Sequence, residues 1–349
     1  MASQRSVTMA DVAARAGVSR SLVSLVVRGS PLVSDARRAA VAAAIDELGY
    51  RHNQIASRLA AKSTRTLGLL LFDLHNPAYA DLHDGVVEVA EAAGYEVLLV
   101  AGSRDGAREQ AVLERLVTLQ VDGLMVAGYV GSAADLLRTA RGLPVVVANR
   151  RIDADGVDSV VSDDAEGATI AVEHLIALGH RRIAHVSSPH GNPYQLRRRG
   201  YEAAMRAHGL EPWVVEGDLA ATGGRAAVAA WGEGEALPTA VFAHNDLSAV
   251  GAMSALAERG VGVPGDVSLV GYDNTDLSAL PSIGLTTLEQ HAREQGRMAV
   301  RMLLERVAEP GIAARAVVIP PVLVERSTTA PPRGATRRGR LDAEPLGAL

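Results

Sequence analysis

Seven short apolar runs each give way abruptly to polar side chains, and there this sequence concentrates its chemistry. The runs are Leu67–Phe72, Tyr95–Ala101, Gly123–Ala127, Pro144–Ala148, Arg182–Ser187, Thr239–Ala243 and Val267–Tyr272. At or just beyond their ends stand Phe72 and Asp73 with Asn76 and Tyr79, Ser103, Tyr129, Asn149 and Arg150, His190 with Asn192 to Arg197, Asn245 and Asp246, and Asp273 and Asn274. Arginine and aspartate together form a fork of donors and acceptors suited to vicinal hydroxyls, and a primary amide supplies both functions. That chemistry recognises; it does not react. No G-x-G-x-x-G follows a strand, and there is no P-loop and no H-E-x-x-H. Ser187-Ser188 with His190 lacks the strained G-x-S-x-G turn of a nucleophile. The chain has no cysteine, which excludes disulfides, a thiol nucleophile and Cys-ligated zinc and fits a reducing cytosol. No enzymatic activity, cofactor or metal is expected.

These residues need a scaffold that gathers strand ends. From Thr66 onward the apolar runs alternate with amphipathic stretches, most of them of helical length, which predicts βαβ units and parallel sheets covered by helices on both faces. Ligands of such sheets bind at the carboxyl ends of the strands. A chain of 349 residues exceeds one hydrophobic core, and this part suits two lobes. Gly311 to Val324 can supply closing strands. Beyond it, Ala330-Pro-Pro-Arg-Gly and Arg337-Arg-Gly-Arg340 have no apolar period, so disorder is expected from residue 329 to 349. This tail lacks the leucine heptads of a tetramer bundle, so a dimer is expected. Met1 to Ala10 lacks the apolar run of a signal peptide, and the longest apolar stretches are strand-sized, so a cytoplasmic protein with no membrane span is expected.

The net charge of −5 conceals an asymmetry. Residues 1–65 hold ten basic and four acidic side chains, +6, which leaves −11 on the remainder. A basic end on an acidic body suggests a polyanionic partner, although a solvated basic face explains the same count. The local pattern is more specific. Thr8 can cap a helix with Asp11 in its first turn and Val12 and Ala13 facing inward, and Gly17 can end it in the left-handed conformation. Ser19 can cap a second helix, Arg20 to Val27, with Val23, Val26 and Val27 inside. Ser34 can cap a third, carrying Val41, Ala44, Ile45 and Leu48 and closed by Gly49. Two short helices across a glycine turn describe a helix-turn-helix.

The string Val7-Thr-Met-Ala-Asp-Val-Ala-Ala-Arg-Ala-Gly-Val-Ser19, followed by Val23-Ser24, Val26, Val33-Ser34, Leu48-Gly49-Tyr50, Asn53, Ala56 and Leu59-Ala60, resembles the headpiece of the LacI/GalR repressor family. Further segments resemble that family's sensor domain: Asn76-Pro77, Val121-Asp122-Gly123, Asp163, His174-Leu175, Leu178-Gly179-His180, Arg197 with Gly200-Tyr201, Asn245-Asp246, Val270 to Asp273 and Leu285-Thr286-Thr287. The resemblance implies an all-α headpiece, residues 1–62, with a hinge helix at 53–61. A two-lobed, periplasmic-binding-protein-like α/β domain would follow at 63–328. Crossings between its lobes would fall near Asp158–Asp163, Pro281–Thr287 and Pro320.

The resemblance also implies a homodimeric repressor that reads a pseudo-palindromic operator in double-stranded DNA under small-molecule control. DNA contacts would come from Thr8, Ser19, Arg20, Ser21, Ser24, Leu25 and Arg28, with Asn53, Ala56 and the minor-groove wedge Leu59 in the hinge. Arg20 would pair with guanine. Leu22, Leu25, Arg28 and His52 replace the family's usual Thr, Arg, Asn and Pro, so the operator sequence does not carry over. Arg197, Asn245 and Asp273 match the principal effector contacts, and Asn149 stands where a polar contact is common. Phe72, Asp73, Asn76, Tyr79 and Tyr129 complete the expected effector set. Asp246 is expected to cap a helix, and His174 and His180 to be structural. Leu219 stands where relatives often place an aromatic platform, and aromatics are only 3% of residues, which favours a saccharide over a purine. A secreted sugar-binding protein would share the two lobes but would need a signal peptide. An activator, or a repressor with a nucleobase or phosphosugar corepressor, stays open.

Overall fold

The computed structural model describes residues 7–27, 30–50, 63–102, 106–188, 192–232 and 237–333. The chain divides into two compact units, Met1–Thr64 and Arg65–Leu349.

In the first unit, α1 (Met9–Ala16) opens with a full capping box. Thr8 Oγ1 accepts from the Asp11 amide while Asp11 reaches back to the Thr8 amide. The helix ends at Gly17, φ 65°, where a side chain would be strained. Ser19 Oγ accepts from the Leu22 amide at 3.2 Å to start α2 (Arg20–Val27). Helix α3 (Asp35–Leu48) follows, but Ser34 makes no side-chain cap bond. There Arg38 donates to the Ser30 and Val33 carbonyls and secures the connection instead. Val12, Ala13, Val23, Val41, Ala44 and Tyr50 form a core small enough for helices of this length.

The second unit has two lobes. The first holds β1 (Thr66–Leu71), α4 (Pro77–Ala92), β2 (Glu96–Ala101), α5 (Gly106–Thr118), β3 (Gly123–Ala127), α6 (Ala133–Ala140), β4 (Val145–Ala148) and β5 (Val157–Ser162). The chain then crosses to α7 (Asp164–Ala177), β6 (Ile183–Ser187), α8 (Asn192–Ala207), β7 (Trp213–Glu216), α9 (Ala221–Ala229), β8 (Ala240–Ala243), α10 (Asp246–Glu258), β9 (Ser268–Val270), α11 (Asp276–Ala279) and β10 (Thr287–Glu289). It returns as α12 (Ala292–Ala308) and β11 (Ala316–Ile319) and crosses once more into β12 (Val322–Val324). The first sheet, in the order β11-β5-β4-β3-β1-β2, is parallel throughout, as is β7-β6-β8-β9 in the second lobe. The antiparallel pair β10-β12 joins the second lobe through bridges from Val270 to Thr286 and from Asp273 to Glu289. The second crossing therefore falls after Glu289, later than Pro281–Thr287, because β10 still belongs to the second lobe.

One helix crossing shapes the mouth of the crevice. A Cβ on Gly85 of α4 would lie 2.0 Å from the Arg293 carbonyl oxygen, and one on Gly296 of α12 would lie 2.2 Å from that of Leu82. Backbone thus meets backbone, and the middle of α4 is drawn against the first turns of α12. At the opposite end of the second lobe, His180 contacts Thr239, Ser268 and the Ala330 carbonyl, and His174 contacts Thr329. The Ala330 amide donates to Ser268, so the chain from 329 to 333 is tied to the lobe and is not tail. The remainder of the expected tail lies outside the described residues. Among the described residues no helix is long and apolar enough to cross a membrane.

Candidate binding cleft and recognition helix

Where the lobes face each other, ten residues enclose a cleft: Asn76, Ala78 and Tyr79 from the start of α4, Asn149 after β4, Ser162 and Asp164 flanking the first crossing, Arg197, Asn245, Asp273 and Gln290. Asn76 caps α4, its Oδ1 accepting from the Ala78 amide at 3.0 Å, and its Nδ2 donates across the cleft to Asp273 Oδ2 at 3.0 Å. Gln290 Nε2, ahead of α12, donates to Asp273 Oδ1 at 2.6 Å. The Gly85–Gly296 crossing positions both donors. Asp273 is held at φ 120° and Asn149 at φ 62°, uncommon conformations for residues with a Cβ, and strain of this kind gathers at functional sites.

Arg197 is buried. Its Nε donates to Asp164 Oδ1 at 2.7 Å, its Nη1 donates to the His244 carbonyl and lies 3.9 Å from Asp273 Oδ1, and its guanidinium sits 3.6 Å above the Tyr272 ring centroid. Burial pushes the Asp164 and Asp273 carboxyls above the ordinary carboxylate range against the pull of Arg197. Burial opposes the charge of Arg197 too, but Asp164 leads the neighbours that overcome it, so the guanidinium stays protonated. Burial, with Arg197 second, pushes the His244 imidazole down to about 3, and burial takes His185 to about 4, so both are neutral near pH 7. Asn149 Oδ1 is a buried acceptor with no hydrogen-bond partner among the described residues. Such a group costs about 1–3 kcal/mol unless something donates to it. The free space between these side chains is about 20 Å³, room for a water molecule and not for a sugar ring. A larger ligand therefore needs a wider cleft than this one.

Six of the nine expected effector residues line this cleft: Asn76, Tyr79, Asn149, Arg197, Asn245 and Asp273. Three do not. Phe72 packs into the first lobe's core, against Gly128, where a Cβ would lie 2.6 Å from Phe72 Cβ. Asp73 turns into its own loop and accepts from the His75 amide at 2.9 Å. Tyr129 is buried beside Gly131, in a loop gripped by Arg150, which donates to the Tyr129 and Gly131 carbonyls, and by Glu109, which accepts from the Val130 and Gly131 amides. Asn245, not Asp246, caps α10, accepting from the Ser248 amide and donating to the Leu219 carbonyl. Asp246 is buried and bonds Thr275 and Thr287. Ser162, Asp164 and Gln290 were not anticipated. Each flanks a crossing between lobes, so extending the strand-end rule to the crossings would have found them. Ser103 and His190 lie outside the described residues.

On the first unit, α2 buries Val23 and turns Arg20, Ser21 and Leu25 outward, with Leu25 37% exposed, while Ser24 is half-buried. Ser19 Oγ bonds Ser21 Oγ at 2.9 Å, and the Thr8 hydroxyl donates to Asp11. Arg28, Asn53, Ala56 and Leu59 lie outside the described residues.

Residues 8–53 match the family described as bacterial regulatory proteins, lacI family, and residues 172–329 match the periplasmic binding protein-like domain. The HTH-type transcriptional repressor PurR of Proteus mirabilis is 34% identical over 330 residues, 93% of this chain and 97% of that protein. The chain belongs to the LacI family. The ribose operon repressor of Escherichia coli K12 is also 34% identical, over 92% of this chain and 99% of its own. The structure of the lac repressor dimer bound to operator and the anti-inducer ONPF superposes with a TM-score of 0.81 at 30% identity, covering 93% of this chain and all of that one. As a LacI-family member the protein is a DNA-binding transcriptional repressor under small-molecule control, with a helix-turn-helix headpiece and a two-lobed sensor of parallel sheets.

Proposed function

We propose that the protein is a cytoplasmic homodimer that reads a pseudo-palindromic operator with the outward face of α2, opened by Arg20 and Ser21, and that its effector is a sugar bound in the cleft. Two headpieces match two half-sites, and the lac repressor structure is a dimer on operator. One observation carries the sugar reading. Asn149 Oδ1 is a buried acceptor without a partner among the described residues, in a cleft whose other polar groups, Arg197, Asp164, Asp273, Asn76 and Gln290, suit a ligand with many hydroxyls. Tyr79 is the only aromatic ring among the described lining residues, which disfavours a planar base wanting two faces. A LacI-family structure from Enterococcus faecium holds ribose at 27% identity. Thermal-shift screening of the full chain against pentoses, hexoses, disaccharides, sugar phosphates and nucleobases tests this. A sugar should raise the melting temperature and change operator affinity; stabilisation by nucleobases alone would overturn the reading.

A further inference from the structure

Resting on the reading of the cleft as a sugar site, we infer that it accepts uncharged polyols and rejects anionic ones, and that Asp164 sets this choice. Among the described lining residues the ionisable groups are Arg197, Asp164 and Asp273, each 4% exposed; Asp164 lies against the guanidinium at 2.7 Å, while burial pushes the Asp273 carboxyl up towards its neutral form. Arg197 is the only cation there, and its charge is already satisfied within the protein. Asp164 Oδ1 accepts from its Nε at 2.7 Å, the His244 carbonyl accepts from Nη1, and the Tyr272 ring covers one face. The neighbouring imidazoles, His185 and His244, are neutral near pH 7 and add no positive charge.

The start of α7 gives an anion no better opening. A helix amino terminus attracts negative charge, but here the protein supplies its own: Asp163 caps α7 through the Glu166 amide at 3.1 Å, and Asp164 is the first helical residue. A phosphoryl or carboxylate brought to Arg197 would meet a guanidinium whose charge Asp164 already offsets, so the cost of stripping its water would go largely uncompensated. Hydroxyls meet no such penalty.

The test compares D-ribose with D-ribose 5-phosphate, and D-glucose with D-glucose 6-phosphate, by calorimetry on the full chain. Wild type, Asp164→Asn and Asp164→Glu are measured together. Wild type should bind the parent sugar of the productive pair at least tenfold tighter than its phosphate. Asp164→Asn, which keeps the shape and removes the charge, should shrink that ratio at least tenfold, and Asp164→Glu should preserve it. A phosphate bound as tightly as its parent sugar by wild type overturns the inference and leaves the sugar reading standing. So does an unchanged ratio in a folded Asp164→Asn. Should Asp164→Asn not fold, the wild-type ratio still decides. Binding of nucleobases and of no sugar would overturn the sugar reading, and this inference with it.

Discussion

Asp273 is the residue on which the cleft converges. Both carboxylate oxygens accept amide hydrogens, from Asn76 and Gln290, and Arg197 lies 3.9 Å away. A buried sugar hydroxyl that loses its partner here is left unsatisfied, typically at a cost of about 1–3 kcal/mol. Asp273→Ala should therefore weaken effector affinity at least tenfold and leave operator affinity without effector near wild type. Calorimetry with the effector and operator titrations with and without it read the two arms. Normal effector binding would remove Asp273 from the site, and a folded variant that no longer binds operator would mean that sensing and DNA reading are not separable. At this scale the sequence was legible where a residue followed an apolar strand, as Asn149, Arg197 and Asp273 do. It was illegible where a polar side chain serves its own loop, as Asp73 does, because a carboxylate aimed at a ligand and one closing a turn read alike.

Among the elements, the crossing of α4 and α12 does most to place the site. Glycine inside a helix ordinarily costs about 0.5–1 kcal/mol relative to alanine, so Gly296→Ala on an open surface would stabilise. Here the added methyl would meet the Leu82 carbonyl at 2.2 Å. The expected result is a loss of about 1–3 kcal/mol in stability, since the two helix backbones would be forced apart. Thermal unfolding checks it, and a higher melting temperature would show the crossing to be loose. The long strands and three headpiece helices could be read from periodicity and caps. Strand β5 could not, because its sequence Val-Asp-Ser-Val-Val-Ser breaks the apolar run. Asp158 tolerates full burial there by pairing with Arg306 at 2.5 Å and Arg315 at 2.8 Å, residues about 150 positions away. Strands β7 and β10, four and three residues long, carry too little periodicity to stand out.

For the whole molecule, charge is divided by unit, +5 on residues 1–64 against −10 on the rest. Operator binding should release counterions from the basic end only, giving a slope of log affinity against log salt of magnitude about 5 or more if several phosphates are neutralised. A flat response in operator titrations would contradict DNA as the partner of that end. The sensor, acidic overall, should repel the duplex everywhere except through its headpiece, which favours binding in one orientation.

The Asn76–Asp273 bond joins residues 197 positions apart and bridges the two lobes. A ligand that takes the same carboxylate competes with an internal rival that is always present at fixed effective concentration. Its apparent dissociation constant is the intrinsic one divided by the fraction of time that the amide leaves Asp273 open. Each 1.4 kcal/mol added to that internal bond moves the midpoint of the dose–response curve about tenfold. Sensitivity and selectivity thus reside in different side chains. Changes at Asn76 or Gln290 can reset the concentration at which the regulator responds, while Asn149 and Asp164 continue to decide what it responds to.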